Sequence, residues 1–143
     1  MLSIWEIRSP VLCRVARCLF QHQSRDPELV WNSIPRGSRE FIRQNRIRVL
    51  ALDAVKVAQE VSTHPQLVQR MQGIVLLGVF LRVAPFVSER RLRDADVYAA
   101  VEKSLRKFFG KRGEKVVQEN LSAVKRGRDE AVEIPREVMV AAA

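Results

Sequence analysis

Gly110-Lys111-Arg112-Gly113 is the stretch of this sequence best equipped for chemistry, because two glycines let the backbone come close to a ligand and two cations stand between them. A helix beginning just after such a turn offers free N–H groups, so the four residues could grip a phosphate. They serve as well for a joint: a glycine ending one helix, a short basic turn, and the start of the next, an arrangement commonplace between antiparallel helices. The joint is the stronger reading. Gly73 and Gly78 give G-x4-G, but Val79 and Phe80 stand where a P-loop needs Lys and Ser/Thr, so the phosphate lysine and the magnesium-binding hydroxyl are both missing. Cys13 and Cys18 have a C-x4-C spacing that matches no zinc signature, and His22 and His64 are too scattered to complete one. Two thiols also cannot supply the four that an iron-sulfur cluster usually takes. Ser, His and acidic residues are too dispersed to nominate a triad. The sequence thus nominates no catalytic, cofactor-binding or metal-binding residue.

The elements around these residues are mostly helical. Ser24 or Asp26 can cap a short helix with Pro27 at its first position and Glu28 in its first turn. Pro35 and Gly37 stop it, and Ser38 can cap a second over Arg39 to Asn45. Ile47 and Val49 then alternate with Arg46 and Arg48 before the run turns wholly apolar from Val49 to Leu52, which predicts a strand. Asp53 ends it and opens a helix with Ala54, Val57, Ala58 and Val61 on one face. A strand feeding a helix is half of a βαβ unit. A long helix from Pro65 to just before Pro85 is apolar around most of its circumference in its second half, as expected of one buried on several sides or meeting a partner chain. Asp94 or Asp96 caps the next, with Val97, Val101, Leu105 and Phe108 as its stripe and Gly110 as its stop. The last long helix starts near Gly113 and turns Val116 or Val117, Leu121 and Val124 to one side; a tail follows, with room for a short strand before or after Pro135.

One domain is the expectation for 143 residues of which 47% are hydrophobic. With 25 Lys+Arg against 16 Asp+Glu the formal charge is +9, which favours anionic partners without choosing among nucleic acid, an acidic protein face and a phosphorylated ligand. Nucleic acid is disfavoured because aromatic stacking positions and a known binding motif are both missing. Arg82 interrupts the longest apolar run, which is too short for a membrane span. Residues 1–25 are rich in Arg but Pro10 interrupts them and Ser is sparse; with no secretory pattern, the expected location is cytoplasmic.

Three stretches together resemble the 2-oxoacid:ferredoxin (flavodoxin) oxidoreductases. Val30-Trp31, Ile34-Pro35, Asp53-Ala54 and Lys56-Val57-Ala58 fall in a segment similar to one of that family, and Met71-Gln72 and Phe80 in a second. The third and most specific runs through Phe109, Gly110, Lys111, Gly113, Glu114, Val116, Val117, Asn120, Ala123 and Val124. The resemblance covers Glu28 to Val132 and points to the C-terminal half of the gamma-type domain of pyruvate and related enzymes. It implies an α/β fold, predominantly helical: a partial Rossmann-like three-layer domain with a short parallel sheet. It divides the chain into an Arg-rich segment 1–25 that it does not account for, a gamma-type domain 26–134, and a tail 135–143.

The function implied is that of a subunit or domain fragment of an oxidoreductase that converts a 2-oxoacid to an acyl-coenzyme A and passes electrons to ferredoxin or flavodoxin. This chain itself would bind no cofactor. Thiamine diphosphate, iron-sulfur clusters and coenzyme A would belong to the whole enzyme, whose other subunits or domains would be the partners, with the helix over 71–84 as the contact. The family's Gly-rich opening turn, G-x-G-G-Q-G, does not occur among these residues, which leaves a vestigial fragment without activity as an alternative, beside a basic helical nucleic-acid-binding module. A strand with open edges invites pairing, so either residues around Val11 to Phe20 or a partner chain should supply a neighbour for the strand at 46–52.

Overall fold

The carboxylate of Asp26 accepts a hydrogen bond from the Glu28 amide at 2.9 Å and Pro27 fills the first position, so α1 (Pro27–Ser33) begins where its capping residues predict. This is seen in a computed structural model of the chain that describes residues 3–5, 16–84 and 92–141. It forms two compact units, Met1–Asp53 with Ala131–Ala143, and Ala54–Glu130.

The first unit is a mixed sheet with helices. Its strands are β1 (Ser3–Trp5), β2 (Arg17–Gln21), β3 (Arg48–Leu52) and β4 (Val132–Glu133), in that order across the sheet. Only β2 and β3 are parallel, pairing Cys18 with Val49 and Phe20 with Ala51; β1 on β2 and β4 on β3 are antiparallel. The expected short parallel sheet is therefore one parallel pair with an antiparallel strand on each side. A parallel pair needs a crossover, which α1 and α2 (Arg36–Gln44) supply between β2 and β3. The strand expected to need a neighbour has one on both sides, β2 from the N-terminal region and β4 from just before Pro135. Cys18, Val49 and Ala51 meet Val30 and Trp31 of α1, Ile34, Ile42, Ile47, Ile134 and Met139 in one core. Leu50 and Leu52, of opposite parity, are buried too, as the unbroken apolar run implies for a strand covered on both faces. Val30 and Trp31 are wholly buried, and each such side chain stabilises by about 1.5–3 kcal/mol.

Two boundaries differ from expectation. The second helix starts at Arg36, capped by Pro35 without a side-chain bond, rather than at Ser38, because the Pro35 carbonyl already accepts the first helical bond, from Arg39, at 3.0 Å. It closes with the Ile47 amide donating to the Ile42 carbonyl at 3.0 Å and Arg46 left-handed at φ 53°, the Schellman arrangement with an arginine where glycine is usual. The segment read as a tail forms α7 (Arg136–Ala141), with Met139 in the core.

The second unit is all helical: α3 (Ala54–Val61), a 3-10 turn at Pro65–Leu67, α4 (Val68–Val83), α5 (Asp94–Phe109), a 3-10 turn at Gly110–Arg112, and α6 (Glu114–Glu130). Ala54, Val57 and Ala58 of α3 are buried, with Val61 half-buried. The cap of α5 is Arg93, not Asp94 or Asp96: Asp96 takes the Arg93 guanidinium at 2.9 Å and Asp94 that of Arg128 at 2.6 Å. Leu105, Val117 and Leu121 form a core with Val101 and Phe109 against it. Phe109 thus packs at the end of the stripe in place of Phe108, which is exposed; both spacings stay near one face of α5, and the position of α6 decides between them. The chain is α/β and predominantly helical. No helix among the described residues is long and apolar enough to cross a membrane.

Candidate functional site

The Gly-Lys-Arg-Gly turn is positioned by the two helices it separates. Partners on α5 and α6 recede from it in step: Arg106 meets Glu114 beside the turn, Leu105 and Val117 share a core, and Asp94 meets Arg128 at the far end. That symmetry makes α5 and α6 an antiparallel hairpin. The helix stops at Phe109 with Gly110 as its cap, as expected, but Gly110 is not left-handed: its φ is −55° and it leads into the 3-10 turn. Gly113 is the residue that reverses the chain, with φ 104° and ψ 156°, a conformation in which a side chain would be strained.

The groups that could receive an anion at the start of α6 face the chain's own carboxylate. Glu114 occupies the first turn of α6, where a negative charge suits the helix dipole. It accepts from Arg106 Nη1 at 2.5 Å and Nη2 at 2.9 Å, and from Gln118 Nε2 at 2.8 Å. Arg106 reaches back to Glu102 Oε1 at 2.7 Å through Nη2 and 3.1 Å through Nε. Hydrogen bonds from Arg106 above all, then from Gln118, hold the Glu114 carboxyl down to about 2; the same bonds, to Glu114 first and Glu102 second, raise the Arg106 guanidinium further above its usual range. The arrangement can clamp two helices across a turn and display Lys111 and Arg112, both exposed. The i, i+4 spacing of Glu102 and Arg106 was a visible signal for half of this clamp; its other half, across the turn, follows only from the fold.

Gly78, half of the G-x4-G pattern, lies where α4 crosses α6. A Cβ built on Gly78 would stand 2.0 Å from the Val124 carbonyl oxygen, and one on Gly127 would stand 2.0 Å from that of Val75. The two glycines admit the opposite backbone reciprocally, and Gly127 had no role in the sequence reading. An isolated glycine inside a helical pattern is the one signal that could have found it. Gly73 has nothing within 4 Å of such an atom. The other pattern residues are dispersed. Cys18 is buried in the sheet's core, where burial pushes its thiol up; Cys13 lies outside the described residues. His22 Nδ1 accepts from the Ser24 amide at 3.0 Å, and His64 is exposed ahead of the Pro65–Leu67 turn. No group of three or more potential metal-ligating side chains is found among the described residues.

The carboxyl ends of the parallel strands bring Gln21 and Asp53 together, Nε2 to Oδ1 at 2.7 Å. At the other end of the sheet Arg48 makes a bidentate pair with Glu133, 2.6 Å for each bond. Its hydrogen bonds to Glu133 raise the Arg48 guanidinium, while burial first and the nearby Arg48 charge second lower that of Arg17 on the adjacent strand. On α4, expected to be buried on several sides, Met71, Val75, Gly78, Val79 and Leu81 are buried while Leu76, Leu77 and Phe80 are exposed.

Two comparisons with known proteins bear on this arrangement. A curated protein, the pyruvate-flavodoxin oxidoreductase of Trichormus variabilis, is 29% identical to the chain over 99 residues, which is 69% of the chain and 8% of that protein's length. The chain therefore spans a small part of this relative. The model of the family described as pyruvate ferredoxin/flavodoxin oxidoreductase matches residues 16–130, a span that takes in β2, β3, the glycine crossing and the clamped hairpin. On that match the chain belongs to the pyruvate ferredoxin/flavodoxin oxidoreductase family.

Proposed function

We propose that the chain is a gamma-type piece of a 2-oxoacid:acceptor oxidoreductase, a noncatalytic partner to subunits or domains that hold the reactive centre. The whole assembly would oxidatively decarboxylate a 2-oxoacid such as pyruvate, transfer the acyl group to coenzyme A, release carbon dioxide and pass the electrons to ferredoxin or flavodoxin. The observation that carries the reading is the family match across residues 16–130. The chain's own chemistry is consistent with it: the best-built polar constellation, Arg106 with Glu102 and Glu114, ties two helices together. Two cysteines cannot hold a four-thiolate cluster, so iron-sulfur clusters, like thiamine diphosphate and coenzyme A, are assigned to the partners. The exposed Leu76 and Leu77 of α4 are the apolar surface this reading expects a partner to cover. The working compartment under it is the cytoplasm.

Reconstitution tests the proposal. Co-expressed with thiamine- and cluster-bearing subunits of a 2-oxoacid oxidoreductase from the same organism, the chain should co-purify with them and raise 2-oxoacid-dependent, coenzyme A-dependent reduction of a viologen dye. If it neither co-purifies nor changes that rate, the subunit reading is wrong. Alone it should show no turnover.

A further inference from the structure

The bend between α5 and α6 carries an exposed aromatic in a stretch of chain rich in exposed cations. Phe108 is 75% exposed, more than any other large hydrophobic side chain described. Lys103, Lys107, Lys111, Arg112 and Lys115 are exposed in the same stretch of chain, and Lys111 and Arg112 follow Phe108 at three and four residues along nearly continuous helical turns, the spacing that brings side chains to one face. The carboxylates nearest in sequence, Glu102 and Glu114, are both taken by Arg106. The clamp sets one guanidinium against both acids, which leaves five exposed cations at the bend against one residual negative charge. Leu105, Val117 and Leu121 pack beneath, so the tip is held by a core and an ion-pair bridge rather than free to collapse.

We propose that this tip is a docking knob for an acidic protein face, with Phe108 as the apolar anchor and Lys107, Lys111 and Arg112 as the surrounding charges. A central aromatic that loses its water on contact supplies most of the affinity in such interfaces, and the charged rim supplies steering and choice of partner. Preorganisation by the Arg106 clamp lowers the ordering cost of binding. A single-stranded nucleic acid would draw on several aromatics along a basic groove. At this bend Phe108 alone is an exposed aromatic, Phe109 being packed on the core, and Tyr98 is covered by Lys125 and Arg128 at 5.4 and 5.3 Å from its ring centre. The inference rests on the subunit reading only in expecting a protein partner, and its assay reads binding rather than oxidation, so either can fail alone.

The probes are a Glu-rich peptide carrying a central Leu-Leu, an all-Glu peptide of equal length and a short DNA duplex. Each is titrated into the full isotope-labelled chain and followed by amide shifts. The Leu-bearing peptide should bind tightest and move amides of residues 103–117. Phe108→Ser should weaken it about tenfold, to the level of the all-Glu peptide, and Lys107→Glu with Lys111→Glu should abolish both interactions. Phe108 contributes little to packing, so the variants should keep the far-ultraviolet spectrum of the parent. The proposal is overturned if the duplex binds more tightly than the Leu-bearing peptide, if Phe108→Ser changes nothing, if the shifts map elsewhere, or if no probe binds at low salt.

Discussion

Replacing Gly127 by alanine adds a single carbon where α6 crosses α4, and the structure fixes what that carbon meets. It would lie 2.0 Å from the Val75 carbonyl oxygen, 2.8 Å from its carbon and 3.2 Å from its Cα, all backbone atoms that no rotamer change can move aside. Ordinary contact begins at 3.4 Å, so the helices must part by about 1.4 Å, loosening the packing along a crossing that also brings Val124 into a core with Leu81 and Val97. Overpacking of this kind costs about 1–3 kcal/mol, more when backbone must shift; against it stands the roughly 1 kcal/mol by which alanine is the better helix former. A net loss of about 2 kcal/mol is expected, near 6 °C in Tm for a chain of this size. Gly73→Ala is the control, in the same α4 helix but with nothing within 4 Å of the added atom, and should instead gain about 0.5–1 kcal/mol. Urea unfolding followed by far-ultraviolet dichroism measures both. If Gly127→Ala is as stable as the parent, or the two variants shift alike, the close crossing of α4 and α6 is wrong.

Three further outcomes follow from the polar bonds and the backbone. Glu114 is held down to about 2 from 4.5, so its stabilisation is complete above about pH 4.5 and is lost as pH falls toward 2; the Tm gap between parent and Glu114→Gln should be widest near neutral pH and close across that window, and a gap that does not change with pH refutes the clamp. Glu133→Gln leaves Arg48 beside Arg17 without the carboxylate between them; the pair is exposed by 44% and 35%, so solvent screening holds the loss to about 1 kcal/mol, and it should shrink in high salt when followed by denaturant titration. Arg46→Gly should stabilise by about 0.5–1 kcal/mol, since φ 53° is strained for arginine, and a loss of stability would show that its side chain earns more than its backbone costs.

The sequence was most readable where one local signal sufficed. Asp26-Pro27 fixed a helix start, the run at Val49 to Leu52 marked a strand, and Ala54, Val57 and Ala58 marked one face of a helix, which is buried. It was least readable where two distant segments settle a choice that each leaves open. Whether Phe108 or Phe109 faces inward depends on where α6 lies, and whether Gly110 or Gly113 reverses the chain depends on how far the helix runs on in a 3-10 turn. Asp94 and Asp96 looked like caps because acids suit a helix start, yet both are drawn off by guanidinium groups, one of them 34 residues away. The basic turn was recognised as a joint, but its clamp joins α5 to α6 across the turn, and i, i+4 spacing reveals only the pair within α5.

Net charge misleads for a related reason. A formal +9 suggests a surface open to any polyanion, but arginine and lysine are put to different uses here. Arginine makes the pairs that join separate elements: Arg48 with Glu133, Arg126 with Glu60, Arg128 with Asp94, and Arg106 with Glu114. A planar, multiply donating guanidinium suits such fixed bonds, whereas an ammonium on a flexible stem holds its water more tightly. Those arginine charges are matched by carboxylates. Lys103, Lys107, Lys111 and Lys115 are left exposed near Phe108, so much of the unmatched positive charge gathers at one bend. A charge that is local and centred on an apolar side chain selects a shaped acidic surface, whereas the same charge spread over the molecule would select polyanions in general.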